Sequence, residues 1–294
     1  MHSVANRMIA PQWLTAKRIV VFEDEATIDQ LFPLNVLRPS WEIRAGLGTL
    51  REFLTALRSA GYKVALRPRE KMFERARDLA GFDDELGKSY EPVVFLNGRL
   101  LHLPENAGAL PSGILDKDGN ILWASIEGQK VSEMLNLPGT QLAETLVKWV
   151  DGGTSIDEIG GVSASYVWDY MAQNDRLLKI GFGQPVESML GCRATSSLPS
   201  VQFIGNQPVY LGPGTNIYPC VVFDTSDGPI LLGEHVLVEP HCFLKGPLAM
   251  GGHGRIKAGS VLYGVSTLCH HSIFSVHLHL QHPLYSPFSF LPLP

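Results

Sequence analysis

Two rhythms of apolar and polar positions divide this chain. In the first, short apolar runs alternate with helical spacing. "RIVVFE" (Arg18–Glu23) is a β-branched run suited to a buried strand. Leu50, Phe53, Leu54 and Leu57 then follow the i, i+3, i+4, i+7 spacing, which puts them on one face of a helix. Thr49 with Glu52 three residues on reads as a capping box at its start, and Gly61 as its stop. "YKVAL" predicts a second strand, Glu70–Leu79 a second helix, and "PVVFLNG" (Pro92–Gly98) a third strand ending in a turn. Strand, helix, strand, helix, strand is the order that builds a parallel α/β sheet. Further on, "GILDKDGNILWASI" reads as a β-hairpin about Asp118-Gly119. Gln141–Val150 reads as a helix ending at Gly152-Gly153. "YVWDYMAQNDRLLKI" reads as another, with Val167, Tyr170 and Met171 toward its core side.

The second rhythm begins near Leu198, where helical spacing stops and glycine, proline and single aliphatics take over. Leu211, Ile217 and Phe223 are six residues apart; after an insertion at "DGPIL", Leu232, Val238, Leu244, Met250, Ile256, Leu262 and Leu268 again step by six. Neither an α-helix nor a flat sheet sustains that period. It predicts a triangular coil of about three turns, in which each hexapeptide supplies a strand and a corner and the register residue points inward. From Cys269 the pattern breaks: the tail has no glycine, no Asp, Glu, Lys or Arg, and half of the ten histidines. It reads as a disordered or frameshifted end, with opportunistic metal binding by "HLH" and His270-His271 as the alternative. The expected layout is thus an N-terminal extension at 1–17, an α/β domain at 18–198, a coil at 199–268 and a tail at 269–294.

Composition narrows the function classes. An ordered core is expected from 45% hydrophobic and 18% charged residues. A formal charge of -5 argues against a nucleic-acid binder, which needs a concentrated cationic surface, although local arginines suffice for one nucleotide. Four cysteines without a CxxC pair read as reduced thiols. No stretch suits a membrane span. The opening segment lacks a secretory core; a frayed extension and a weak transit peptide both fit it, with cytoplasm as the default location.

Six stretches then carry a resemblance: "VFED" (Val21–Asp24), "FPLNVLRP" (Phe32–Pro39), "EIRAGLGTLREF" (Glu42–Phe53), "VVFLNGRLL" (Val93–Leu101), "YVWDYMAQND" (Tyr166–Asp175) and "GPILLGEHVLVEPHCFLKGPLAMG" (Gly228–Gly251). In this order they resemble the GlmU-like sugar nucleotidyltransferases, a divergent branch of the enzymes with a C-terminal left-handed β-helix. The resemblance implies an α/β, Rossmann-like nucleotidyltransferase domain followed by a short left-handed parallel β-helix. It implies a nucleoside triphosphate and a sugar 1-phosphate as substrates, Mg2+ as cofactor, and a homo-oligomer, a trimer, formed through the β-helix.

By the same resemblance Arg38 and Arg44 are the catalytic cations on the phosphates, and Asn97 and Gly98 line the sugar or nucleotide pocket. Asp169 and Asn174 contribute to the cleft, with an exposed helix surface or an N-cap as the alternative account of them. The chain departs from the wider family in two places. "EDEATIDQ" stands where a glycine-rich loop is usual, and Asn97-Gly98-Arg99 stands where "GD" binds the metal. Asparagine is a poorer magnesium ligand, and Arg99 is expected to repel the ion. Two further readings stay open: an acyl-coenzyme A acyltransferase using a histidine such as His235, His241 or His253, and a non-catalytic sugar-nucleotide-binding scaffold.

Overall fold

The structure, a computed structural model, describes residues 14, 16–72, 86, 91–104, 112–135, 137–150, 152–275 and 284–285. These fall into two compact units. One holds the described residues up to Ile43 together with Thr49–Asp169; the other holds Arg44–Gly48 and the residues from Tyr170 onward.

The first unit is a mixed sheet. β1 (Arg18–Phe22) lies between β2 (Lys63–Arg67) and β3 (Val93–Asn97), parallel to both. β4 (Leu100–His102) pairs apart from this sheet with β8 (Val162–Ser163). β5 (Gly113–Leu115) and β6 (Ile121–Ile126) form the antiparallel hairpin expected about Asp118-Gly119. β6 adds antiparallel to β3, and β7 (Thr154–Ser155) closes the order β2-β1-β3-β6-β5-β7. The core is thus parallel, with an antiparallel extension that the alternation of strands and helices did not announce.

Side chains alternate across the parallel strands. Ile19, Val21, Val64 and Leu96 pack on one face with Leu54 and Leu57 of helix α2 (Leu50–Ser59), while α1 (Glu25–Ile28) precedes it in the chain. Val20, Phe22, Val93 and Phe95 pack on the other face with Leu142 and Leu146 of helix Gly139–Trp149. The capping box of α2 is complete: Thr49 Oγ1 accepts from the Glu52 amide at 3.1 Å and Glu52 Oε2 from the Thr49 amide at 2.9 Å. The helix expected over Glu70–Leu79 lies outside the described residues beyond Met72; Glu70–Met72 makes one 3-10 turn.

The helix expected through "YVWDYMAQNDRLLKI" is two, Val167–Ala172, within which the division between the units falls, and Asn174–Phe182 in the second unit. Tyr170 is buried as expected, but Met171 is 43% exposed. The break at Gln173 accompanies the burial of Asn174, a polar side chain that needs partners off the helix axis.

Beyond Arg193–Thr195, short strands pair in three parallel ladders. Val209–Leu211 pairs with Ile230–Leu232, then Leu248–Met250, then Ser266–Leu268. Asn216–Ile217 pairs with Leu237–Val238, then Arg255–Ile256, then Ile273–Phe274. Gln202–Ile204 pairs with Val222–Asp224, then Phe243–Lys245, then Val261–Leu262. Leu211, Phe223 and the seven aliphatics from Leu232 to Leu268 are buried, and Ile217 packs against the same cluster. Phe274, six residues past Leu268, continues that cluster. What the sequence implies for the end of the chain falls largely outside the described residues.

Candidate active site

Because β1, β2 and β3 run the same way, their carboxyl ends share one edge, which is where open α/β sheets bind ligands. Glu23 follows β1 on that edge and is fully buried. Its Oε1 accepts from the Ser40 amide at 2.7 Å and from Arg69 Nη1 at 2.8 Å, and its Oε2 from the Arg69 amide at 3.2 Å. Burial pushes the Glu23 carboxyl up from its ordinary value, against the pull of the Arg69 charge and the two amides. The other guanidinium nitrogen of Arg69, Nη2, donates to the Asn35 carbonyl. Asp24 is occupied as the cap of α1, accepting from the Ala26 amide at 3.0 Å.

These contacts fix the loop that leaves α1. Leu31, Asn35, Ser40 and Trp41 are buried, while Phe32, Val36 and Leu37 are exposed and Arg38 is half-buried. Asn35 also donates its side-chain amide to the Ile28 carbonyl at 2.6 Å. The end of β3 meets the same loop. A Cβ on Gly98 would stand 2.2 Å from Ser40 Oγ and 3.0 Å from Trp41 Cε3, so a side chain there would have to displace them. The loop of Arg38 and the Asn97-Gly98 turn are therefore neighbours.

Asn97 is fully buried; its amide donates to the Ile121 carbonyl at 3.1 Å and its oxygen accepts from the Arg99 amide at 3.0 Å. Arg99 does not present a free charge to this edge. Its guanidinium is buried and paired with Asp116 at 3.0 Å, with the Ala164 carbonyl at 3.4 Å. The repulsion of a metal ion anticipated from the sequence is therefore cancelled locally by Asp116. Even so, the donors at this edge do not fit a protein-held magnesium ion. Both Glu23 oxygens, Asp24 Oδ1 and Asn97 Oδ1 accept protein N–H groups, Asp24 Oδ2 lies 3.3 Å from the Thr27 hydroxyl, and no cluster of three His, Cys, Asp or Glu suited to a metal occurs among the described residues.

The remaining sequence-selected residues lie elsewhere. Asp169 lies in the first turn of helix Val167–Ala172 and reaches back over its start: its Oδ2 accepts from the Ser165 and Tyr166 amides, each at 2.8 Å. Arg44 and Asn174 come together in the second unit, around a tight turn. Ala45 and Gly48 bond to each other, and Arg44 Nη1 donates to the Leu47 carbonyl at 2.7 Å. The Gly46 amide donates to Asn174 Oδ1 at 3.0 Å, and the Thr267 hydroxyl lies 3.0 Å from both Asn174 Oδ1 and the Gly46 carbonyl. Gly46 has φ +58 and sits against Leu177, where a Cβ would be 2.9 Å from its neighbour. Its amide is thus engaged by the protein, and the Gly46-Leu47-Gly48 stretch serves as a turn.

Glu23, Asn35, Ser40 and Arg69 had no role in the sequence reading. An acid directly after four apolar strand residues was the available signal for Glu23; nothing marked Arg69, 46 residues away.

A family model described as sugar nucleotidyl transferase matches residues 19–182. The match runs from β1 to the end of helix Asn174–Phe182 and covers more than half of the chain, which belongs to that family. A comparison with curated proteins gives no match. No helix among the described residues is long and apolar enough to cross a membrane.

Proposed function

We propose that the protein joins a sugar 1-phosphate to a nucleoside triphosphate with release of pyrophosphate. The observation that carries this reading is the family match over a unit whose parallel strands hold the Arg38 loop at their carboxyl edge. A phosphate oxygen of the sugar attacks the α-phosphorus, a P–O bond forms, and the bond to pyrophosphate breaks with its electron pair. Charge grows on the leaving pyrophosphate, and a fixed cation there lowers the barrier. In this reading Arg38 supplies that cation, its fork suited to phosphate oxygens. Exposed Phe32, Val36 and Leu37 give the same loop an apolar surface for the rest of the nucleotide. Asn97 and Gly98 act by shaping the backbone beside that loop, and magnesium enters with the triphosphate. Residues 199–268 of the second unit are proposed as a short left-handed β-helix that assembles the protein into a trimer. This rests on the three parallel ladders and their common buried register.

The test is pyrophosphate release across several sugar phosphates and all four common nucleoside triphosphates, with magnesium. Arg38→Ala is expected to lower turnover by about a hundredfold to a thousandfold. Absence both of turnover and of a nucleotide-induced thermal shift in the parent protein would sink the proposal.

One observation favours a second reading. His253 Nε2 lies 3.5 Å from Glu234 Oε1, an acid–imidazole pair suited to a general base, as acyl transfer from coenzyme A requires. Its ring stacks between those of His235 and His271, with centroids 5.2 and 5.1 Å away. An intact protein that binds neither acetyl- nor succinyl-coenzyme A rules this reading out.

A further inference from the structure

Burying a carboxylate and a guanidinium is unfavourable enough that an apolar pair of similar size is often as stable. Stability therefore does not by itself account for Glu23 and Arg69, whose side chains are 0% and 6% exposed. Their contacts have a different logic. Glu23, fixed at the end of β1, holds the Ser40 amide; Arg69, fixed on Glu23, holds the Asn35 carbonyl. The two contacts fall on either side of Arg38. A chain pinned at both ends over so few residues has little conformational freedom left to lose when a ligand binds. Arginine suits the task as lysine does not. Its planar fork places one nitrogen on the carboxylate and the other on the carbonyl, whereas an ammonium is a single point of charge.

The geometry points to Glu23 and Arg69 as positioning residues that form a bracket pre-setting Arg38 toward a phosphate of the nucleotide. The inference rests on the reading of Arg38 given above. It adds that Arg38 works only while the bracket is closed.

The experiment uses the full chain with Arg69→Lys, Glu23→Gln, Arg38→Ala and the double variant Arg38→Ala/Arg69→Lys. Pyrophosphate release with nucleoside triphosphate and sugar 1-phosphate is one readout. Amide hydrogen exchange over Asn35–Ser40 is the other. Arg69→Lys is expected to lower kcat/KM for the triphosphate roughly tenfold to a hundredfold, with KM for the sugar phosphate unmoved. That loss should vanish in the Arg38→Ala background, where nothing remains to be positioned. Exchange at Asn35–Ser40 should quicken in Arg69→Lys and Glu23→Gln while β1 stays protected.

An equal loss from Arg69→Lys in both backgrounds overturns the inference, because the pair would then act on something other than Arg38. So does unchanged exchange over Asn35–Ser40, whatever the activity. An Arg38→Ala protein with full activity would instead remove the phosphate role of Arg38, and the inference with it. In that case quickened exchange would still show the bracket, so the two failures are told apart.

Discussion

The edge beyond β1 and the ladders of the second unit are built by opposite rules. On the edge no contact repeats: Glu23 meets Ser40 and Arg69, Gly98 meets Ser40 and Trp41, and Arg99 meets Asp116. In the ladders one contact recurs, an aliphatic residue stacked on the next of its kind, as Leu232 on Met250 and Met250 on Leu268. A recurring contact spreads stability over many equivalent positions. A singular one concentrates it where one substitution is felt, and polar groups buried there are held by partners that no second copy replaces.

The strongest break of this contrast is Arg99→Ala. It leaves the Asp116 carboxylate buried with only Asn120 and local amides, and is expected to destabilise the first unit by about 3–5 kcal/mol in urea unfolding. A loss below about 1 kcal/mol would show that singular polar contacts matter no more than surface pairs. Next is Leu244→Ala, between Phe223 and Leu262 in its ladder, expected to cost about 2–5 kcal/mol. The same substitution at Leu262 should give a similar figure if the ladder positions are equivalent. Thr49→Ala removes one half of a capping box and should cost about 1 kcal/mol, seen as faster exchange in the first turn of α2.

The smallest effect is in pH dependence, and its sign differs between the two regions. The Ser226 hydroxyl and amide hold the Asp224 carboxyl below its ordinary value, and the Ala258 amide with Arg255 does so for Glu239. Both contribute stability present above their unfolded values and lost as pH falls through the lowered ones, below about pH 4. Glu23 is pushed up instead, so its contribution is complete below the unfolded value and is lost as pH rises through the raised one. On acidification, exchange should therefore quicken around Asp224 and Glu239 before it does around Glu23. Asp224→Asn with Glu239→Gln should flatten that response.

What the sequence disclosed follows the same divide. The α2 helix, its capping box and the hairpin at Gly119 depend on neighbours a few residues apart, and all were legible. The six-residue register was legible because its residues repeat; Phe274 obeys it too, although the change in composition after Cys269 hid it. The split at Gln173 was not legible, because it depends on Asn174 finding the Gly46 amide and the Thr267 hydroxyl from distant parts of the chain. The bracket of Glu23 and Arg69 was hidden for the same reason. Arg38 stood out in "FPLNVLRP", but the residues that hold its loop are spread from Glu23 to Arg69 and share no motif.

The ladders also carry a natural experiment in chain length. Leu232 and Met250 are paired across eighteen residues, but Leu211 and Leu232 across twenty-one. The three surplus residues lie between Phe223 and Leu232, and the pairing on both sides is undisturbed. They leave the ladder as a small turn: Asp224 accepts from the Ser226 amide at 3.0 Å, and Lys245 reaches exposed Asp227 at 2.8 Å. A corner that already absorbs three residues without shifting the strands is a natural port for a label or an epitope. A reporter inserted there would follow the folding of this unit while its strand register stays intact.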